Sequence, residues 1–448
     1  MLKVINPATG QLVRELETDT PELVAEKFQR AHLAQKIWAC VPMEDRLKTI
    51  RNFRELVVQR TEELARILTS EVGKPISQSR SELKGLSGRI DFFLENTARV
   101  LDDETVLSDP AQKLEEKIAH EPLGVIGNIS AWNYPYYVGS NVFVPALLAG
   151  NAVLYKPSEF AALTGLAIAG LLHEAGIPDD VFIPLIGGGE VGAELCRQPL
   201  AGIFFTGSYA TGQKIAEAAA KRLMKVQLEL GGKDPTYVRE DADVNAAAES
   251  LADGAFYNCG QSCCSVERIY VHEKVYDAFV ETFFKTVKTF VAGDPLDDKT
   301  YIGPVTRREH LEVLDGQVCD ALKQGARLLC GGKRMTRPGY YFEPTVFVNV
   351  NHSMELMREE TFGPMIGLQK VSGDAEAIRL MNDTAYGLTA GVYSKSRERA
   401  TAILAEINSG SVYWNCCDRV SPRLPWSGRG HSGVGTTLST YGIQTFVQ

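Results

Sequence analysis

From residue 125 onward the chain alternates short β-branched runs with helical segments, and this alternation dictates the fold class. Residues 125–129, 152–156, 182–186 and 203–205 read as strands; 136–148, 163–174, 191–197 and 212–222 read as helices between them. The helix at 163–174 carries its own stop signal, Gly176 with Pro178 beyond. Parallel strands need a crossover between them, so βαβα order predicts an α/β fold with a mostly parallel, Rossmann-type sheet covered on both faces. A second alternation follows Gly231-Gly232-Lys233, with helices over 243–257, 274–291 and 308–324. Its strands fall near 268–272, 345–349 and 390–393.

At 448 residues the chain exceeds one compact core, so two or three domains are expected. Residues 21–100 precede the alternation and read as helices, with Leu47, Ile50, Phe53, Leu56 and Val57 at helical spacing and breaks at Pro75 and at 85–88. The segments 104–121 and 435–448 read as extended and peripheral. Two such strand segments far apart in sequence predict a shared β protrusion serving an oligomer contact, hence a homodimer or homotetramer. A net charge of −9 argues against a nucleic-acid partner. The apolar stretches 142–155 and 161–172 are interrupted or too short for a membrane helix, and the opening residues break too early for a signal peptide. Nine cysteines without a CxxC pair argue against a disulfide framework and against a metal site; a reducing cytoplasm is the expected location.

Four segments carry chemistry. In Asn258-Cys259-Gly260-Gln261-Ser262-Cys263-Cys264 a glycine precedes a thiol pair, and a helix beginning there would lower a thiol pKa; buried inert cysteines are the competing reading. In Leu228-Glu229-Leu230-Gly231-Gly232 a desolvated carboxylate would suit a general base, whereas a strand-end Glu facing solvent is the commoner case. Asn133, in Ser130-Ala131-Trp132-Asn133-Tyr134-Pro135, can donate its amide to an oxyanion or serve a turn. The glycine turn between Phe205 and Gly212 opens a helix and suits a pyrophosphate, though it is not GxGxxG; Gly187-Gly188-Gly189 is a second tight turn.

Taken together, these segments resemble the aldehyde dehydrogenase superfamily in content, order and spacing across essentially the whole chain. Glu359-Glu360-Thr361-Phe362-Gly363-Pro364 resembles its EExFGP motif, Lys156-Pro157-Ser158-Glu159 its KPSE motif, and Asn6-Pro7-Ala8-Thr9-Gly10 its opening. Pro425-Trp426-Ser427-Gly428 and Ser432-Gly433-Val434-Gly435 resemble its closing segment. The resemblance implies a cofactor domain from 1–103 and 122–231, a catalytic domain from 232–430, and an oligomerisation arm from 104–121 and 431–448. It implies Cys263 as nucleophile, Glu229 as general base and Asn133 with the Cys263 N–H as oxyanion hole. NAD would be held by Lys156, Ser158 and Glu159 near the adenosine ribose, by Gly207 and Ser208 near the pyrophosphate, and by Glu360 and Phe362 at the nicotinamide end. Ile129, Ser130, Trp132, Gly189, Phe205 and Leu230 would complete that surface, and NADP would be disfavoured.

Tyr134, Tyr137, Val138, Asn141, Ser262, Cys264, Val420 and Trp426 would line the tunnel for the aldehyde. They favour a hydrophobic aliphatic or aromatic substrate. The alternative is an acidic semialdehyde held by Arg419 or Arg423, but surface or interface salt bridges are the preferred reading of those two arginines. Three features depart from the family pattern: Ala131 replaces a proline, Thr437 stands where many members carry a glutamate linked to proton release, and the closing segment stops soon after Gly442, so a short oligomer arm is expected.

Overall fold

A computed structural model describes all 448 residues. The chain opens with a hairpin of β1 (Leu2–Asn6) and β2 (Gln11–Leu16), turned by Gly10 at φ 74°. Four helices follow: α1 (Pro21–Ala39), α2 (Met43–Gln59), α3 (Thr61–Val72) and α4 (Ile76–Val100). Thr20 caps α1 by accepting the Leu23 N–H, and left-handed Gly73 ends α3. A break expected at 85–88 does not occur, because α4 runs straight through it. Gly85 serves packing instead, since a Cβ there would lie 1.8 Å from the Tyr137 hydroxyl oxygen.

A second hairpin, β3 (Glu104–Asp109) and β4 (Leu114–Ile118), stands as its own two-stranded sheet. Then come β5 (Val125–Ser130), β6 (Ala152–Pro157), β7 (Phe182–Pro184), β8 (Gly202–Thr206) and β9 (Lys225–Glu229). They lie side by side in the order β9-β8-β5-β6-β7, all parallel. The chain therefore steps outward on one side of β5 and later returns to its other side, creating a topological switch point between β5 and β8.

The second sheet is built from β10 (Asp234–Val238), β11 (Val266–His272), β12 (Arg327–Cys330), β13 (Thr345–Val348), β14 (Met365–Val371), β15 (Thr389–Tyr393) and β16 (Ser411–Trp414), in the order β12-β13-β14-β11-β10-β15-β16. Only its edge strand β12 is antiparallel. Each sheet has its own core: one gathers apolar side chains mainly between Val24 and Leu230, the other between Tyr237 and Ile407.

The closing segment differs from the expected arm. Residues 433–434 form β17, which pairs antiparallel with β9 and adds a sixth strand to the first sheet. A short helix, Ser439–Gln444, follows, and Leu438, Ile443, Phe446 and Val447 are buried in the first core. Four apolar side chains within ten residues are more stable buried there than held in a solvent-exposed ribbon, so the 104–118 hairpin protrudes alone. All nine cysteines are free thiols.

Candidate active site

The carboxyl ends of β5, β6, β8 and β9 point toward the amino ends of β10, β11 and β14, and the motif residues lie in the turns at this meeting of the two sheets. Asn133 follows β5, Lys156 and Ser158 close β6, Gly207 and Ser208 follow β8, and Glu229 is the last residue of β9. Cys263 precedes β11, and Glu360 and Phe362 precede β14. Tertiary structure thus gathers in one crevice what the sequence spreads over more than two hundred positions.

The thiol loop is a strained turn rather than a helix start. Asn258, Cys259 and Gly260 all take left-handed φ values of 53°, 58° and 70°. The loop is clamped from inside: the Asn258 amide donates to the Asn133 carbonyl at 3.2 Å and to the Gln261 carbonyl at 3.1 Å. The Asn133 side-chain amide donates to that same Gln261 carbonyl at 3.1 Å, which fixes its plane and leaves its other N–H without a protein acceptor. With no helix N-terminus beside it, the Cys263 thiol is not lowered as expected. Its hydrogen bond with Cys264, burial, and the neighbouring Glu229 carboxylate push it up, so the thiol is the resting form near neutral pH.

Glu229 does not face solvent. It is 6% exposed, one oxygen accepts the Trp426 indole N–H at 3.1 Å, and the other has no hydrogen-bonding partner apart from the adjacent Cys263 thiol. Burial raises its pKa to about 7. A carboxylate poised there, with a free lone pair beside a thiol, can take a proton from the thiol or from water.

A cavity of about 1300 Å3 opens over the switch point. Ile129, Ser130, Trp132, Lys156, Ser158, Glu159, Gly189, Phe205, Gly207, Ser208, Leu230, Glu360 and Phe362 all line it, together with Asn133, Glu229 and Cys263. The helix Tyr209–Ala220 begins at its wall with no side-chain cap, so its first N–H groups are free for an anion. Lys156 lies 3.6 Å from the Glu159 carboxylate. Glu360 accepts the Gly232 N–H at 2.9 Å, and a Cβ at Gly231 would lie 2.5 Å from its carboxylate. Burial raises the Glu360 pKa to about 8. Phe362, at φ 46°, packs edge-on to Trp132 with centroids 5.5 Å apart. A capless helix start for a pyrophosphate, carboxylates for ribose hydroxyls and an aromatic shelf fit an extended dinucleotide.

A second cavity of about 450 Å3 runs from the thiol toward the surface. Tyr134, Tyr137, Val138, Asn141, Ser262, Cys264, Val420 and Trp426 line it as expected, but it is more polar than that set implies. Glu82, Arg89 and Asp418 also face it. The fully buried Lys74 ammonium pairs with Glu82 and sits 3.6 Å from the centroid of the Tyr134 ring. Asp418 accepts from Ser262 Oγ at 3.0 Å and from Cys264 Sγ at 3.1 Å. Arg419 and Arg423 are exposed at the tunnel and form no ion pair within the chain, so the surface salt bridges expected of them are absent. Thr437 also lines it, its backbone paired to Trp426.

Sequence reasoning missed Glu82 and Arg89, although a signal existed. They stand seven apart on α4, beside the buried stripe Leu83, Leu86, Ile90 and Phe93. Charges next to a buried helical stripe point to an internal polar site. It also missed the Lys233–Glu267 pair at 2.6 Å, whose carboxylate accepts the Thr361 and Phe362 N–H groups and so holds the Glu360 turn in place. Nothing local marked Asp418.

Comparison with known proteins gives a consistent picture. The model of the aldehyde dehydrogenase family matches residues 1–448. The peroxisomal aminoaldehyde dehydrogenase 2 of Malus domestica is 35% identical over 100% of this chain and 91% of its own. The NADP-dependent succinate-semialdehyde dehydrogenase of Deinococcus radiodurans is 33% identical over 99% and 92%. The crystal structure of an NAD-dependent aldehyde dehydrogenase from Sinorhizobium meliloti superposes with a TM-score of 0.96 at 34% identity, covering 100% of this chain and 90% of that one.

Proposed function

The chain belongs to the aldehyde dehydrogenase family, and from that premise we propose that it oxidises an aldehyde to the carboxylic acid with NAD, through a thioester on Cys263. The observation that carries this reading is the junction of the two cavities. Only Thr206, Glu229 and Cys263 line both, so a thiol and a base stand where a cofactor and a substrate meet. Residues 1–103 and 122–231 then supply the cofactor side and 232–430 the catalytic side. The lone 104–118 hairpin, with Val106, Leu107, Leu114 and Ile118 exposed, supports the expectation of a homo-oligomer.

In this mechanism Glu229 takes the Cys263 proton as the thiolate attacks the aldehyde carbon, forming a C–S bond and an oxyanion. The free N–H of Asn133 and the Cys263 backbone N–H stabilise that oxyanion. NAD, when bound against Glu360 and Phe362, supplies the hydride acceptor. Glu229 passes that first proton to solvent and then removes one from water, which adds to the thioester carbon; the C–S bond breaks, the acid leaves and the thiolate takes the proton back from Glu229. The presence of Glu229 favours hydrolysis over transfer of the acyl group to a second thiol. Asn133→Ala should lower kcat on the order of 10²–10³-fold with little change in NAD affinity, as read by steady-state kinetics and cofactor titration.

The preference for NAD rests on Glu159, whose carboxylate can accept a ribose 2′-hydroxyl but repels a 2′-phosphate. Glu159→Ser should raise the NADP/NAD ratio of kcat/KM on the order of tenfold, the figure being limited by the wet, half-exposed setting. A wild type already favouring NADP would contradict this assignment. An aldehyde panel run with NAD and with NADP, following reduced cofactor, tests the function as a whole. No reduction with any aldehyde would overturn it.

A further inference from the structure

Arg89 is only 5% exposed, yet forms no ion pair. Its one hydrogen bond runs from Nη1 to Asn141 Oδ1 at 2.8 Å, and its guanidinium lies 4.0 Å from the centroid of the Tyr137 ring, which fixes its plane. An arginine carries five N–H donors, and its remaining nitrogens are neither partnered nor sealed off from solvent. Arg89 lines the tunnel, which gives those nitrogens a route to a ligand. A buried guanidinium without a counter-ion is costly, unless a ligand supplies the anion.

We propose that Arg89 binds a carboxylate at the far end of the aldehyde chain, so that the substrates are short ω-carboxylated aldehydes whose hydrocarbon middle lies against Tyr134, Tyr137 and Val420. The proposal rests on the aldehyde-oxidising reading above. The charges facing the tunnel agree with it. Glu82 is already answered by Lys74 and by the Tyr136 N–H, and Asp418 is engaged by Ser262 and Cys264. Arg419 and Arg423 add two unpaired positive charges toward the surface, which would draw anions inward. The planar fork of Arg89, held by Asn141 and Tyr137, suits a bidentate carboxylate.

The test compares 5-oxopentanoate, pentanal and 5-aminopentanal as substrates with NAD. The wild type should favour 5-oxopentanoate over pentanal by about tenfold or more in kcat/KM, expressed in KM. Arg89→Gln should reduce that ratio on the order of 10–100-fold, the worth of a charged hydrogen-bonded pair, and Arg89→Lys should retain part of it. A wild-type preference for pentanal or the amino compound overturns the proposal. So does a Gln variant that keeps the ratio, or one that loses both substrates equally. Where Arg89→Gln does not fold, product-type inhibition of the wild type decides: glutarate must inhibit at lower concentration than pentanoate. Failure to oxidise 5-oxopentanoate while another aldehyde is oxidised overturns this proposal alone, whereas no reduction of NAD or NADP with any aldehyde of the wider panel brings down the parent reading.

Discussion

Cys263→Ser is expected to abolish aldehyde-dependent NAD reduction, by about 10⁴-fold or more, while NAD still binds. A serine hydroxyl is far less acidic than a thiol, and a carboxylate with a pKa of about 7 cannot ionise it usefully. Serine also makes an ester where the reaction needs a thioester, the better acyl donor to water. Cys264→Ser should keep substantial turnover, because Cys264 is buried against the Asp418 carboxylate and its hydrogen bond can be made by a hydroxyl. Steady-state rates with cofactor-binding titrations of both variants check this. The reverse pattern would assign the nucleophile to Cys264.

Glu229→Gln separates hydrolysis from the earlier steps. Gln keeps the shape and can still accept the Trp426 N–H, but it takes no proton. Rapid mixing should give a burst of reduced cofactor approaching one per active site, followed by turnover slowed on the order of 10²–10⁴-fold. Mass spectrometry should find the acyl group on the Cys263 peptide. The wild type carries the matching pH signature. A base must be deprotonated to act, so with a pKa of about 7 the rate should rise with pH through that region and level off above it. The Gln variant should lack this limb. Because Glu229 also receives the thiol proton in the first step, the burst should be slower than in the wild type but present. Full steady-state activity in the variant would mean that another group serves as base.

Much of this was legible before any coordinates. The strands at 125–129 and 152–156 and the helix stopped by Gly176 appear within a residue or two of their expected bounds. Each is set by local periodicity and by a backbone position that only glycine takes cheaply. β1, β2, β9, β10, β12, β14 and β16 escaped notice. Five of them are short runs of four or five residues, too brief for a period to declare itself. Glycines 85 and 88 read as a break, but tertiary packing used the missing Cβ of Gly85 to seat Tyr137.

The sequence by itself determined the fold class and singled out the candidate reactive residues, because alternation, stop signals and motif spacing are properties of neighbours along the chain. Only the tertiary structure decided what those residues can do. Burial raises the Glu229 carboxyl to about 7, and the Trp426 indole that hydrogen-bonds it comes from 197 positions away. The Cys263 thiol is raised rather than lowered because a strained loop, not a helix, presents it beside that carboxylate. Arg89 forms no ion pair, while the Glu82 carboxylate seven residues earlier on the same helix is bound to Lys74. Desolvation and charge pairing depend on which distant groups the fold brings within a few ångströms, and linear spacing carries no such distances.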